Sequence, residues 1–268
     1  MRLNLTKSVL VVLFAMLGIG STYAQLSGNY TIGTGTGYDY SSVTAAVSDL
    51  TSNGVNGAAT FTIADGTYSG TLSFGSGISG ASATNTITFK SASADSSKVT
   101  ISSTSYSVYM TGADYITFQD VTLSSTYSSY NIYMTSNSDY NRFINCRILG
   151  LGTSYTTYNV YVYGGSAYNE FLNCRVVGGY YAFYFYGNGT GSSAAKGNKV
   201  NGCSITQHYY YGTMSYYQRE MTFSNNYVDS CANSDYGLMA YYGDAFKIEK
   251  NELYVTHYGM YLYYHNKY

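Results

Sequence analysis

Few residues of this chain are equipped for acid–base or metal chemistry, and most of those recur at a regular spacing. Asp114 and Asp139 each stand four residues before a phenylalanine, Phe118 and Phe143. If successive repeats stack, the two carboxylates lie on neighbouring rungs, where they could share a Ca2+. The same position continues as Ala167, Lys196, Arg219 and Asp244, so the column as a whole is not acidic. The expectation is therefore solvated turn residues that help the chain bend. Arg147 and Arg175 also recur in step, but in a different turn. Hydrolysis of a glycosidic bond needs two opposed carboxylates, and no such pair can be named. His208, His257 and His265 stand among Tyr or Asn and read as surface groups rather than bases. Cys146, Cys174 and Cys203 share one repeat position, with no C-x-x-C or His partner spacing that would suggest a metal. In-register neighbours on parallel strands point the same way, which is poor disulfide geometry, so a ladder of buried free thiols is expected. Cys231 falls outside that column. No cofactor is expected, and Ca2+ is the one ion with a candidate site.

The abundant chemistry is that of tyrosine. The chain has 36 Tyr, no Trp and no Pro in 268 residues. One series reads Tyr109, Tyr133, Tyr161, Tyr184, Met214, Met239, Tyr261. A second, two residues further on, reads Thr111, Thr135, Tyr163, Tyr186, Tyr216, Tyr241, Tyr263. Rows of flat rings with hydroxyl rims suit sugar faces, or another protein, at little cost in side-chain entropy. Such rows also favour a sheet, by about 0.2–1 kcal/mol per cross-strand pair.

Those series depend on internal repeats. Phe143-Ile144-Asn145-Cys146-Arg147-Ile148 is echoed by Phe171-Leu172-Asn173-Cys174-Arg175-Val176 and, more loosely, by runs starting at 118, 200, 223 and 248. Successive starts differ by 25, 28, 29, 23 and 25 residues. Each repeat holds short alternating runs separated by Gly, Ser, Asn and Asp, the pattern of half-buried strands. Three strands per coil, wound into a solenoid, would stack like residues on like. This predicts one interior column of Phe118, Phe143, Phe171, Val200, Phe223 and Ile248. A second would hold Leu123, Ile148, Val176, Ile205, Val228 and Leu253, and a third Val108, Ile132, Val160, Phe183, Thr213, Leu238 and Met260. If Ile132 and Met134 point inward, Tyr133 points outward, and both tyrosine series lie on the outer surface.

The Cys column continues as Asn226 and Asn251. Over roughly Val108 to Tyr268 this pattern resembles the right-handed parallel β-helices of the pectate-lyase-like superfamily, which stack Asn in an inner turn where it tolerates the left-handed conformation. The opening order, GNYTIG, then a short helix, then TFTIADGTY, is also similar to extracellular proteins of this fold. Ser41 or Ser42 would cap that helix, with Val43, Val47 and Leu50 on one face and Gly54 ending it. The resemblance implies an all-β solenoid with a capping helix that covers the first coil's edge. It carries no catalytic residue. Lyases of this fold pair an Arg or Lys base with Ca2+-held carboxylates, and its glycoside hydrolases cluster Asp residues with a His between glycines. Neither constellation is visible here. A leucine-rich repeat fits one piece, Phe143-x-x-Cys146-x-Ile148, but meets Asn141, Asn169 and Asn198 where that motif wants an apolar residue.

Arg2 and Lys7, the apolar run Val9 to Gly20, and Thr22-Tyr23-Ala24 before Gln25 form the pattern of a secretory signal peptide over residues 1–24. Residues 25–106 are then the N-terminal cap and first coils, and residues 107–268 the main repeats. A last coil beginning at Met260-Tyr261-Leu262-Tyr263 lacks a matching cap, so a longer parent chain is expected. A net charge of −1 with 10% charged residues argues against nucleic acid or an anionic membrane as the main partner. The functional expectation is a secreted or cell-surface module, non-catalytic, binding polysaccharide or a cell-surface protein through the outward tyrosines, with no membrane span in the mature chain. The alternatives are a carbohydrate-active enzyme, lyase or hydrolase, and a structural spacer of a longer surface protein.

Overall fold

The computed structural model describes residues 25–75, 77–127, 129–151, 157–229 and 235–265. The expected signal segment and Cys231 lie outside these residues. Three parallel sheets wind as a solenoid, with nine, eight and eight strands. The first sheet runs from Leu26–Ile32 through Arg142–Ile144 and Glu170–Leu172 to Lys247–Glu249. The second runs from Gly66–Ser69 through Arg147–Leu149 to Glu252–Tyr254. The third runs from Leu72–Phe74 through Tyr130–Thr135, Tyr158–Tyr163, Tyr181–Tyr186, Tyr211–Tyr216 and Tyr236–Tyr241 to Tyr258–Tyr263.

Register follows the sequence repeats. Phe143 pairs with Phe118 on one side and Phe171 on the other, and Ile148 with Leu123 and Val176. Ile132 pairs with Val108 and Val160. The phenylalanine column is longer than expected, because Phe61 and Phe89 extend it upward. Phe61 and Phe89 stack at 4.6 Å and 10°, and Phe143 and Phe171 at 4.8 Å and 4°. All of these rings are fully buried, and truncating one such ring costs about 3–5 kcal/mol.

Helix α1, Val43–Asn53, starts as expected. The Ser42 hydroxyl accepts from the Ala45 N–H at 3.1 Å. Gly54 ends it at φ 70°, where its N–H donates to Leu50 O, and a Cβ there would lie 2.4 Å from Ser79 O. Val43, Ala46, Val47 and Leu50 are buried. The helix packs on Leu26–Ile32 and Leu72–Phe74, the edge strands of the first and third sheets, so it covers backbone that no further strand pairs.

The inner turns correct one expectation. The left-handed residue is not in the Cys–Asn column but directly before it: Asp120, Asn145, Asn173, Gly202, Asn225 and Lys250 all have φ between 52° and 68°. The column residue itself turns inward. Cys146, Cys174 and Cys203 donate Sγ–H to Phe118 O, Phe143 O and Phe171 O at 3.3–3.4 Å. Below them Asn226 Oδ1 accepts the Cys203 N–H, and Asn251 Oδ1 accepts the Asn226 N–H, each at 2.9 Å. These three thiols are free and buried, and burial raises the Cys174 thiol well above its ordinary value.

A second asparagine ladder runs through Asn141, Asn169 and Asn198, all fully buried. Each Oδ1 accepts the backbone N–H one rung above, from Ile116, Asn141 and Asn169, at 3.0 Å. Each Nδ2 donates to a carbonyl there, Ala113 O, Ser138 O and Ser166 O. These are the positions that a leucine-rich repeat would fill with apolar residues, and three stacked parallel sheets replace that reading.

Two outcomes follow. Asn169→Ala strands a buried N–H and a buried C=O, each worth about 1–3 kcal/mol, so urea unfolding is expected to show a loss of several kcal/mol. In a Cys231→Ser background, the three column thiols are expected to stay unreactive to a thiol reagent in buffer and to titrate fully in denaturant.

Candidate functional site

The third sheet carries the most distinctive surface. Its main strands are six residues long, and positions four and six point outward as expected. Position four holds Tyr109, Tyr133, Tyr161, Tyr184, Met214, Met239 and Tyr261 in register, and position six Thr111, Thr135, Tyr163, Tyr186, Tyr216, Tyr241 and Tyr263. Met214 and Met239 are buried beneath their neighbours.

Sequence alternation missed a third outward column at position one: Tyr130, Tyr158, Tyr181, Tyr211, Tyr236 and Tyr258. Its rings stack at 5.3, 4.7, 4.8, 5.3 and 5.4 Å, tilted by no more than 21°. Alternation counted back from inward Ile132 places Asn131 outside and Tyr130 inside. Instead Asn131 and Ile132 are both buried, because the chain turns a corner there. Asn131 Nδ2 donates to Leu123 O, Leu149 O and Asn159 Oδ1, and Asn159 Nδ2 donates in the same way to Val177 O one rung on. The signal was present as a tyrosine opening each six-residue run.

The columns also touch sideways. Tyr130–Tyr133, Tyr158–Tyr161 and Tyr181–Tyr184 centroids are each 5.0 Å apart. The result differs from the expected row of open ring faces. In the position-one column the faces lie against neighbouring rings along the solenoid axis, while at positions four and six, Tyr216–Tyr241 apart, neighbouring rings are tilted by 28–67°, so ring edges and hydroxyls form much of the outer surface. Burial, reinforced by neighbouring tyrosines, pushes the Tyr161, Tyr181, Tyr184 and Tyr211 hydroxyls well above the ordinary tyrosine value. They are neutral donors and acceptors at physiological pH.

The sparse ionisable residues are placed differently. Asp114 and Asp139 are half-buried rather than solvated. Asp114 Oδ1 accepts the Asp139 N–H, and Asp139 Oδ1 the Ala167 N–H, both at 2.7 Å. One oxygen of each carboxylate is thus tied to the next rung, while burial raises both above the usual carboxylate value. Among the described residues no cluster of three or more His, Cys, Asp or Glu is arranged to hold a metal. Arg147 and Arg175 stack in register on the second sheet.

His208 is not a surface group. Its side chain is fully buried, with Nε2 3.8 Å from Asp235 Oδ2. Loss of water lowers its pKa to about 4, against the opposing pull of Asp235. It stands just past strand Ser204–Thr206, where the chain leaves the second sheet. His257 is exposed and His265 half-buried.

The family model for the right handed beta helix region matches residues 130–267, which is 138 of 268 residues. The chain belongs to the right-handed β-helix family. Among solved structures it is similar to pectate lyase Pel9A, at 16% identity and TM-score 0.60, covering 86% of this chain. It spans 64% of that lyase's length. It is also similar to a pectin methylesterase, a point mutant solved in complex with a hexasaccharide, at 10% identity and TM-score 0.54, covering 88% of this chain and 81% of that one. These likenesses show the fold. No curated protein matches the sequence. Among the described residues no helix is long and apolar enough to cross a membrane.

The buried histidine has a measurable consequence. It titrates near 6.5 when unfolded and near 4 when folded, so the unfolded chain takes up the proton first. Stability is expected to fall as pH drops from about 6.5 towards about 4. Comparing urea midpoints of the wild type and His208→Gln at about pH 7 and about pH 4.5 checks this, the variant losing less.

Proposed function

We propose that this chain is an extracellular binding module that adsorbs polysaccharide through the tyrosine face of its third sheet. The observation that carries the proposal is the three-column array of tyrosine edges and hydroxyls, held in place by ring-to-ring contact along and across the columns. Such a face offers hydrogen bonds at a fixed spacing of about 4.8 Å along the axis, with side chains already ordered before contact. An extended glycan lying along the solenoid meets donors and acceptors without a large ordering cost. The charge and apolar pattern of residues 1–24 supports export, with residues 25–106 serving as cap and first coils and residues 107–268 as the presenting stack.

Retention on a panel of insoluble neutral and acidic polysaccharides, with the supernatant assayed for new sugar ends, tests the reading. The wild type is expected to be retained without releasing ends. A Tyr163→Ser/Tyr186→Ser variant with an unchanged circular dichroism spectrum is expected to be retained at least tenfold less tightly. Equal retention of the variant removes the tyrosine face from the account, and released ends replace the binding module with an enzyme.

A further inference from the structure

Across the corner from the tyrosine face, the outer surface of the first sheet carries a groove of about 550 Å³. One wall is a separate ladder, Tyr115, Tyr140 and Tyr168, whose rings stack at 5.0 and 4.8 Å with tilts of only 1° and 2°. The floor is polar, with Thr88, Thr117 and Gln119 on neighbouring strands and Arg142 paired to Glu170 at 2.9 Å. Lys199 approaches the other Glu170 oxygen at 3.6 Å.

The backbone beneath that wall is left-handed. The corner position is left-handed at six successive rungs: Tyr115, Tyr140, Tyr168, Gly197, Glu220 and Ala245, with φ from 50° to 68°. Only glycine adopts that conformation without steric cost, and a bulky aromatic ring there is unusual. Tyrosine occupies three successive rungs bordering the groove and none of the others. Gly197, at the next rung, lets Tyr168 lie flat over it, since a Cβ would come within 2.6 Å of the ring. At the opposite end the column position is Thr86, which extends the groove past Tyr115. Left-handed tyrosines also stack at Tyr217, Tyr242 and Tyr264, so what distinguishes Tyr115, Tyr140 and Tyr168 is the concave floor beside them and the bare Gly197 rung at their end.

We infer that this groove is a second carbohydrate site, built for a short stretch of neutral glycan. Beside apolar Ala83 and Ile144, the lining offers groups that both give and accept hydrogen bonds: tyrosine and threonine hydroxyls and one amide. This matches sugar hydroxyls, which do the same. Glu170 is held by Arg142 and approached by Lys199, so these charged groups are already engaged with one another, and Arg142 and Glu170 present a donor and an acceptor at adjacent points, a pattern suited to neighbouring hydroxyls. Four rungs at about 4.8 Å give the groove a length that holds a few sugar rings. The site is independent of the third-sheet face, so either one stands without the other.

Calorimetric titration of the chain with cello-, xylo- and chitotetraose, and with tetragalacturonate, tests the inference. At least one neutral tetrasaccharide is expected to bind, and Tyr140→Gly to weaken it at least tenfold. Tyr140→Gly relaxes the left-handed backbone while removing the ring, so its loss of binding is not a loss of fold. Arg142→Ala is expected to weaken binding comparably, whereas Tyr163→Ser/Tyr186→Ser leaves it unchanged. Binding unaltered in both groove variants overturns the site. Binding of tetragalacturonate alone, or of no tetrasaccharide, overturns the neutral-glycan assignment.

Discussion

Everything in this molecule hangs on the parallel ladder, which sets each residue directly over its counterpart about 4.8 Å away. At that distance identical flat groups stack, identical amides chain their hydrogen bonds, and identical apolar groups fill one continuous core. Phe61 to Phe171, Asn141 to Asn198 and Tyr130 to Tyr258 are three answers to the same constraint: one apolar, one hydrogen-bonded, one amphipathic. Ion pairs obey it too, since Arg142, Glu170 and Lys199 alternate in sign along one column. The pair Arg147 and Arg175 breaks that alternation, and nothing in the structure explains it.

The ladder also shapes the proposed binding surface. Tyrosines stacked along the axis spend their faces on one another, which makes them rigid and leaves their edges and hydroxyls outward. On the proposed reading, recognition on the third sheet works through a grid of hydrogen bonds more than through open aromatic platforms. The groove on the first sheet uses the same edge-on presentation, but in a concave setting with a charged pair at its centre.

Much of the fold was legible because buried apolar residues recur at a nearly constant interval. The motif starting at Phe143 and Phe171 set strand register across the rungs from Phe118 to Ile248, and the interior columns followed from it, although Met260, expected inside, is exposed. Several features were not legible, for distinct reasons. The Tyr130 column was hidden because Asn131 breaks alternation at a corner, where a backbone-directed amide competes with the strand pattern. The Asn141 ladder was not foreseen because a buried polar side chain is recognisable only from its partners, which are backbone groups of another rung. His208 looked exposed by type, and burial against Asp235 was a matter of tertiary placement. The groove wall was invisible because Tyr115, Tyr140 and Tyr168 adopt a conformation that sequence assigns to glycine.

The corners differ in how much chain they contain. From Gln119 onward two residues separate each first-sheet strand from the second-sheet strand that follows, as in Asn145-Cys146 and Asn173-Cys174. Over the same rungs the connection between the second and third sheets ranges from three residues, Val177 to Tyr181, to eight, Leu149 to Tyr158. The first of these corners is closed by inward Cys and Asn side chains bonded to fixed carbonyls, so it has no room for an added residue. The longer link between Ser91 and Val99 lies before that column begins. Extra chain is accommodated instead at corners such as the one bordering the Tyr130 column. Length variation there adds chain beside the tyrosine columns without shifting a single rung, so the margin of that face can change while the scaffold stays unchanged.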